Sequence, residues 1–157
     1  MATISIRQQI KNKLVEMLTG LTINSKNVNL FLNDPYALEE SDLPAICIKT
    51  TNELIVNSTV GYPRTQQRAL NIDITCVYQA TNNLDEIIEE FTTIVEQALN
   101  STENNVILNT NGDIISDSYV DNIQFMEFGE IANKTSGSIL SFVVNYICIE
   151  NELKADI

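Results

Sequence analysis

The residues most able to do chemistry in this chain are acids, and they fall in three groups: Asp85, Glu86, Glu89, Glu90 and Glu96; Glu39, Glu40 and Asp42; and Asp113, Asp117 and Asp121. Two carboxylates can divide general acid and base work, but only where a cleft shields one of them. The first group lies at helical spacing on an outward face, where Asp85–Glu89 and Glu86–Glu90 repel at i,i+4 by about 0.2–0.5 kcal/mol each. It reads as a solvated face. Glu39, Glu40 and Asp42 do not follow the spacing of a calcium-binding EF-hand loop, and the third group is too scattered for a metal site. Cys47, Cys76 and Cys148 each sit in an apolar, strand-like run, as small buried hydrophobes do. Histidine is absent, which removes the commonest general base and metal ligand. There is no P-loop, G-x-G-x-x-G, G-x-S-x-G or C-x-x-C motif. The reading is therefore of a non-enzymatic protein, with no catalytic residues, no cofactor and no metal.

The elements that position these residues centre on Arg68 to Asn100. Leu70, Ile72, Ile74, Cys76 and Tyr78 alternate with Asn71, Asp73 and Thr75, the period of a strand with one wet face. After a polar break, Leu84, Ile87, Ile88, Phe91, Ile94, Val95, Ala98 and Leu99 form a helical stripe, with Asn83 as N-cap and Glu86 as its capping-box partner. Ile6, Ile10, Leu14, Met17, Leu18 and Leu21 make an earlier stripe, capped by Thr3 or Ser5 and stopping near Gly20. A short strand is expected at Val28–Leu32. A second opens at Leu43–Ile48, with Pro44 tolerable at its first residue.

Residues 45–56 should pair with 64–78 as a hairpin whose outer half is too polar to cover a core. Two strands alone are marginal in water. The arm from Thr50 to Gln67 is thus either a mobile loop or ordered by lying against another molecule. Downstream, Val106–Leu108 and Ile114–Ile115 flank a turn, a strand lies near Tyr119–Glu127, and Lys134–Ser138 reads as a turn. The last strand, Ile139–Ile149, is apolar at nearly every position, which suits an interior strand covered on both faces. The expected fold is α/β (α+β), one domain over 1–157. It has a mostly antiparallel or mixed sheet of four to five strands, two main helices on one face, a protruding hairpin arm or loop at about 50–67 and a flexible tail at about 151–157.

Composition narrows the function. With 157 residues, 44% hydrophobic and 19% charged, the chain can bury a core without disulfides or metal. The formal charge is −12, from 21 acids and 9 bases, the wrong sign for binding nucleic acid through its phosphates. No run approaches the length of a membrane span, and no secretory signal pattern opens the chain, so it is expected to stay inside the cell that makes it.

The order of elements resembles the tail terminator family of long-tailed bacteriophages, the minor tail protein U type. The resemblance is carried by the helix from Ser5-Ile-Arg-Gln-Gln-Ile10 to Leu14-Val-Glu-Met-Leu18 and by the acidic loop running into Glu40-Ser-Asp-Leu-Pro-Ala-Ile-Cys-Ile48. It continues through Ala69–Tyr78, Asn83-Leu-Asp-Glu-Ile-Ile88 and Ser141-Phe-Val-Val-Asn-Tyr146. It implies a homohexameric ring at the head-proximal end of a phage tail. There the protein would stop polymerisation of the tail tube protein and offer the head–tail connector a surface, with no membrane partner and no sequence-specific nucleic acid binding. A virion location follows, after synthesis in the host cytoplasm. Closing such a ring brings like-charged subunits together, so local contacts must offset repulsion. The candidate subunit-interface residues are Arg64 and Arg68 on one side and Glu39, Glu40 and Asp42 on the other. Alternative readings are another neck or tail-completion protein, an injection-system cap, or a small acidic binding module.

Overall fold

The computed structural model describes residues 5–32, 38–101, 115–127 and 134–150. Helix α1 (Ile6–Leu18) starts at Ser5, whose Oγ accepts from the Gln8 amide at 3.2 Å, and buries Ile6, Ile10, Leu14, Met17 and Leu18. Its chain exit uses Gly20 at φ +87°, where a Cβ would be strained. A small hairpin absent from the sequence reading follows, β1 (Thr22–Ile23) with β2 (Lys26–Asn27). Asn24 and Ser25 turn it at φ 50° and 65°, the left-handed pair that a two-residue hairpin demands.

The main sheet contains β3 (Asn29–Phe31), β4 (Ala45–Asn57), β5 (Thr65–Ala80), β6 (Ile115–Glu127) and β7 (Lys134–Ile149), in the order β3–β4–β5–β7–β6. Only β3 runs parallel to its neighbour. Helix α2 (Leu84–Asn100) lies on β5 and β7, touches β6 and packs on α1. Leu70, Ile72, Ile74, Cys76 and Tyr78 point into this layer with Ile46, Ile48, Leu140, Phe142, Val144 and Tyr146, forming one cluster with both helix stripes. This is the α+β fold expected, with a five-stranded mixed sheet. Thr92 is a polar member of the α2 stripe. Its hydroxyl donates to the Ile88 carbonyl at 2.7 Å and lies 2.5 Å from Ser138 Oγ.

Several details differ from expectation. Asn83 precedes α2 but adopts φ 58°, and its side chain makes no capping bond, so the start of α2 rests on helix propensity, packing and the charges of Asp85 and Glu86. Lys134–Ser138 is not a turn. It begins β7, because the ladder with β5 continues from Cys76↔Ser138 to Ala80↔Lys134. β7 is interior within the sheet, yet its second face is covered unevenly, since Val143 is buried while Ile147 and Ile149 are exposed. β6 begins at Ile115; Val106–Leu108, the turn expected after it, Asp113 and the 151–157 tail lie outside the described residues.

The largest correction concerns the arm. β4 and β5 pair as expected, from Ala45↔Val77 to Asn57↔Gln66, but the hairpin is not alone. β7 runs beside β5 for its full length, out to Thr65↔Ile149. Three strands therefore carry the outer half, and only the turn at residues 58–64 projects beyond them. One extra residue, Thr51, interrupts the β4–β5 register between Thr50 and Asn52, a β-bulge.

Candidate functional site

The outer half of the sheet holds the molecule's most unusual side chains. Its helix side carries a charge cluster around Glu53. Arg7, in the first turn of α1, donates from Nε to Glu53 Oε2, and the Tyr146 hydroxyl donates to Oε1. Arg68 Nη1 donates to the same Oε1 at 3.4 Å. Arg68 also donates from Nη2 and Nε to Gln66 Oε1, at 2.7 and 3.2 Å, while Gln66 Nε2 donates to Asn57 Oδ1 at 2.9 Å. The side chains of Glu53 and Arg68 are only 9% and 6% exposed. Burial of this kind is tolerable only when every group has a partner. One carboxylate thus ties helix α1, strands β4 and β5, and strand β7 to one another.

The electrostatics follow from the geometry. Burial pushes the Glu53 carboxyl upward, but the hydrogen bonds from Tyr146 and Arg7 and the charges of Arg7 and Arg68 together hold it below its ordinary value. Tyr146 moves the other way, raised by burial and by its bond to the Glu53 carboxylate. Cys76, in the inner core, is pushed up to about 12 chiefly by burial, which makes it a poor nucleophile. Cys47, Cys76 and Cys148 are all buried, and none of them is in a disulfide.

On the opposite face of the outer half, the side chains are apolar and uncovered. Leu54 is 64% exposed; Val56, Ile147 and Ile149 are also exposed. Leu54 and Val56 of β4, Gln67 and Ala69 of β5, and Asn145 and Ile147 of β7 line a groove of about 330 Å³. The turn beyond it presents Val60, fully exposed, and Tyr62 at 82%. The base of that turn is well tied: the Ser58 amide donates to the Thr65 carbonyl at 2.8 Å and the Thr65 amide to Thr59 Oγ1 at 2.8 Å. Elsewhere among the described residues, only Ile55 on the helix side of β4, Leu32, Tyr119 and Phe125 expose large apolar groups to this degree.

The residues proposed from sequence as subunit contacts do not form one site. Arg68 is the clearest correction: its guanidinium is engaged inside the subunit and is not on offer to a neighbour. Arg64 is bonded to Glu150, through its amide at 3.1 Å and Nη1 at 3.4 Å, and stacks on Tyr62 at 4.3 Å from the ring centre. Glu39 and Asp42 lie at the other end of β4, where Asp42 Oδ2 accepts from the Glu39 amide at 2.9 Å around a 3₁₀ turn at Glu40–Asp42. The side chain of Glu40 lies outside the described residues. β4 has 13 residues, roughly 40 Å of strand, so these acids cannot meet Arg64 within one subunit.

Glu53 was missed in the sequence, although one signal pointed to its partner. Arg68 and Gln66 share the parity of Leu70 and Ile72 on β5, which places them on the buried face. No protein-family model matches the chain, and no curated protein matches it. Among the described residues no helix is long and apolar enough to cross a membrane, and no cluster of His, Cys, Asp or Glu could hold a metal ion.

Proposed function

We propose that this chain is a structural assembly subunit of the tail terminator kind. It would form a ring at the head-proximal end of a phage tail, stop growth of the tail tube, and offer its other surface to the head connector. The observation that best supports this reading is a braced hairpin carrying an uncovered apolar face. Three paired strands, the Glu53 cluster and the Arg64–Glu150 contact hold the outer half in place, yet Leu54, Val56, Val60 and Tyr62 stay in solvent. A contiguous apolar surface on a braced scaffold suits a protein partner better than a small substrate.

Native mass spectrometry across protein concentration and magnesium tests the ring directly. The expected result is a closed oligomer, six subunits for the full resemblance, favoured by salt that screens the subunits' negative charge. Added to polymerising tail tube protein, it should shorten the tubes seen by electron microscopy. A protein that stays monomeric under all conditions and leaves tube length unchanged would sink the reading.

A further inference from the structure

We infer that the outer half of the sheet is where two copies of this chain meet, the hairpin tip of one copy (Val60, Tyr62) seated in the Leu54–Val56–Ala69–Ile147 groove of the next. This rests on the self-assembly reading above and names the surface that would carry it.

Charge selects the occupant. From Leu54 to Ile72 the chain has two arginines and no acidic residue, so all 21 acids lie elsewhere. Arg64 is neutralised by Glu150, and the single carboxylate of Glu53 is shared by Arg68 and Arg7, so these groups sum to within one charge of neutral. The outer half is therefore close to neutral on a molecule of net charge −12. Two such molecules repel over most approaches, and most strongly where the outward acids of α2 would face each other. The outer half is the approach on which that repulsion is least. A basic partner, by contrast, would be drawn to α2 and not to this surface, and a nucleic acid or an anionic membrane finds no arginine without a carboxylate among the described residues here.

Shape and order point the same way. The tip is a mainly apolar knob that its own subunit covers only where Arg64 stacks on Tyr62, and the groove is a mainly apolar hollow. Both are held by paired strands and side-chain bonds, so docking freezes few additional degrees of freedom. Tip and groove share the β4–β5 hairpin, and β7 completes the groove. Each copy thus offers both halves of the contact, which can be returned by the same partner or passed on around a ring.

The test combines charge insertion with cross-linking in the full chain. Val60→Glu and Leu54→Glu alter exposed side chains, so thermal melts should match wild type. Sedimentation should show self-association weakened at least about tenfold in each. Separately, Val60→Cys protein mixed with Leu54→Cys protein and a mild oxidant should give a disulfide-linked dimer faster than either alone, the native thiols being buried. A wild type that assembles, with both Glu variants assembling equally and no mixed cross-link, would overturn this surface while leaving the ring reading intact. Weakened assembly without the cross-link would overturn the tip-in-groove pairing. A wild type that is monomeric at every concentration and magnesium level would overturn both and assign the face to a different protein.

Discussion

The inner and outer halves of the β4–β5–β7 sheet use the same three strands and are held by different forces. In the inner half, Ile46, Ile48, Ile74 and Cys76 are buried beneath the helices, and Ala45, Cys47, Thr75 and Val77 are buried on the reverse. Apolar burial is strong but non-directional, and it tolerates small shifts of packing. In the outer half, Leu70 and Tyr146 still join the core, but beside them Arg7, Glu53, Arg68 and Gln66 hold the strands through oriented hydrogen bonds, while the reverse face is left to solvent. Charged bonds add direction where packing has run out of partners. A surface that must keep its shape while waiting for a neighbour needs that direction more than it needs additional stability.

Perturbing each half separately is the way to break this contrast. The largest effect should come from the inner core: Phe91→Ala, which empties a fully buried site beneath α2, should lower global stability by about 3–5 kcal/mol in urea unfolding. Next is Glu53→Ala, at about 3 kcal/mol, because it leaves the buried Arg68 without its carboxylate and with only neutral partners such as Gln66. Its signature is regional. Amide exchange should quicken at residues 52–57 and 66–70 and stay slow at 72–78; uniform loss of protection would show that the halves are not separately held.

The same carboxylate sets an acid limb. Its folded pKa is depressed, so its contribution is complete above the unfolded value near about 4.3 and disappears as pH falls through the folded value. Glu53→Gln should flatten that limb in a plot of Tm against pH. Cys76 and Tyr146 have raised values, so their contributions are complete below about 8.5 and 10 respectively and are lost as pH rises further.

Cys76→Ser should destabilise by about 1–3 kcal/mol through a poorly satisfied hydroxyl, with assembly unaffected in whatever fraction folds. Smallest of all, Leu54→Ser should change monomer stability by no more than about 0.5 kcal/mol, because its side chain is already in water. A larger loss would mean that the outer face is already covered within the subunit.

Much of the inner half was legible in the sequence. The alternation through Leu70–Tyr78 and the stripe through Ile88, Phe91, Val95 and Leu99 report local periods, and the structure places them where those periods require. The outer half was misjudged because its support is long-range. Ile149 lies far along the chain from Thr65, and no local pattern announces that β7 would reach the end of the hairpin. Polar letters such as Glu53, Gln66 and Arg68 look like a surface until their pairing is known. Lys134–Ser138 looked like a turn for the same reason: its small polar residues are held in extended form by the ladder with β5, joined by β6 from Ser136 onward.

The bulge at Thr51 gives the outer hairpin its polarity. In an unbroken strand, even-numbered residues of β4 would continue on the side of Ile46 and Ile48, carrying Leu54 and Val56 indoors and turning Glu53 to solvent. The extra residue shifts the phase by one, so that Glu53 pairs with Leu70 and faces Arg68, while Leu54 pairs with Ala69 and faces outward. Deleting a single codon would exchange the two faces without altering any remaining amino acid. Whether this hairpin is a lining or a handle is thus decided by a count of residues, and composition has no say in it.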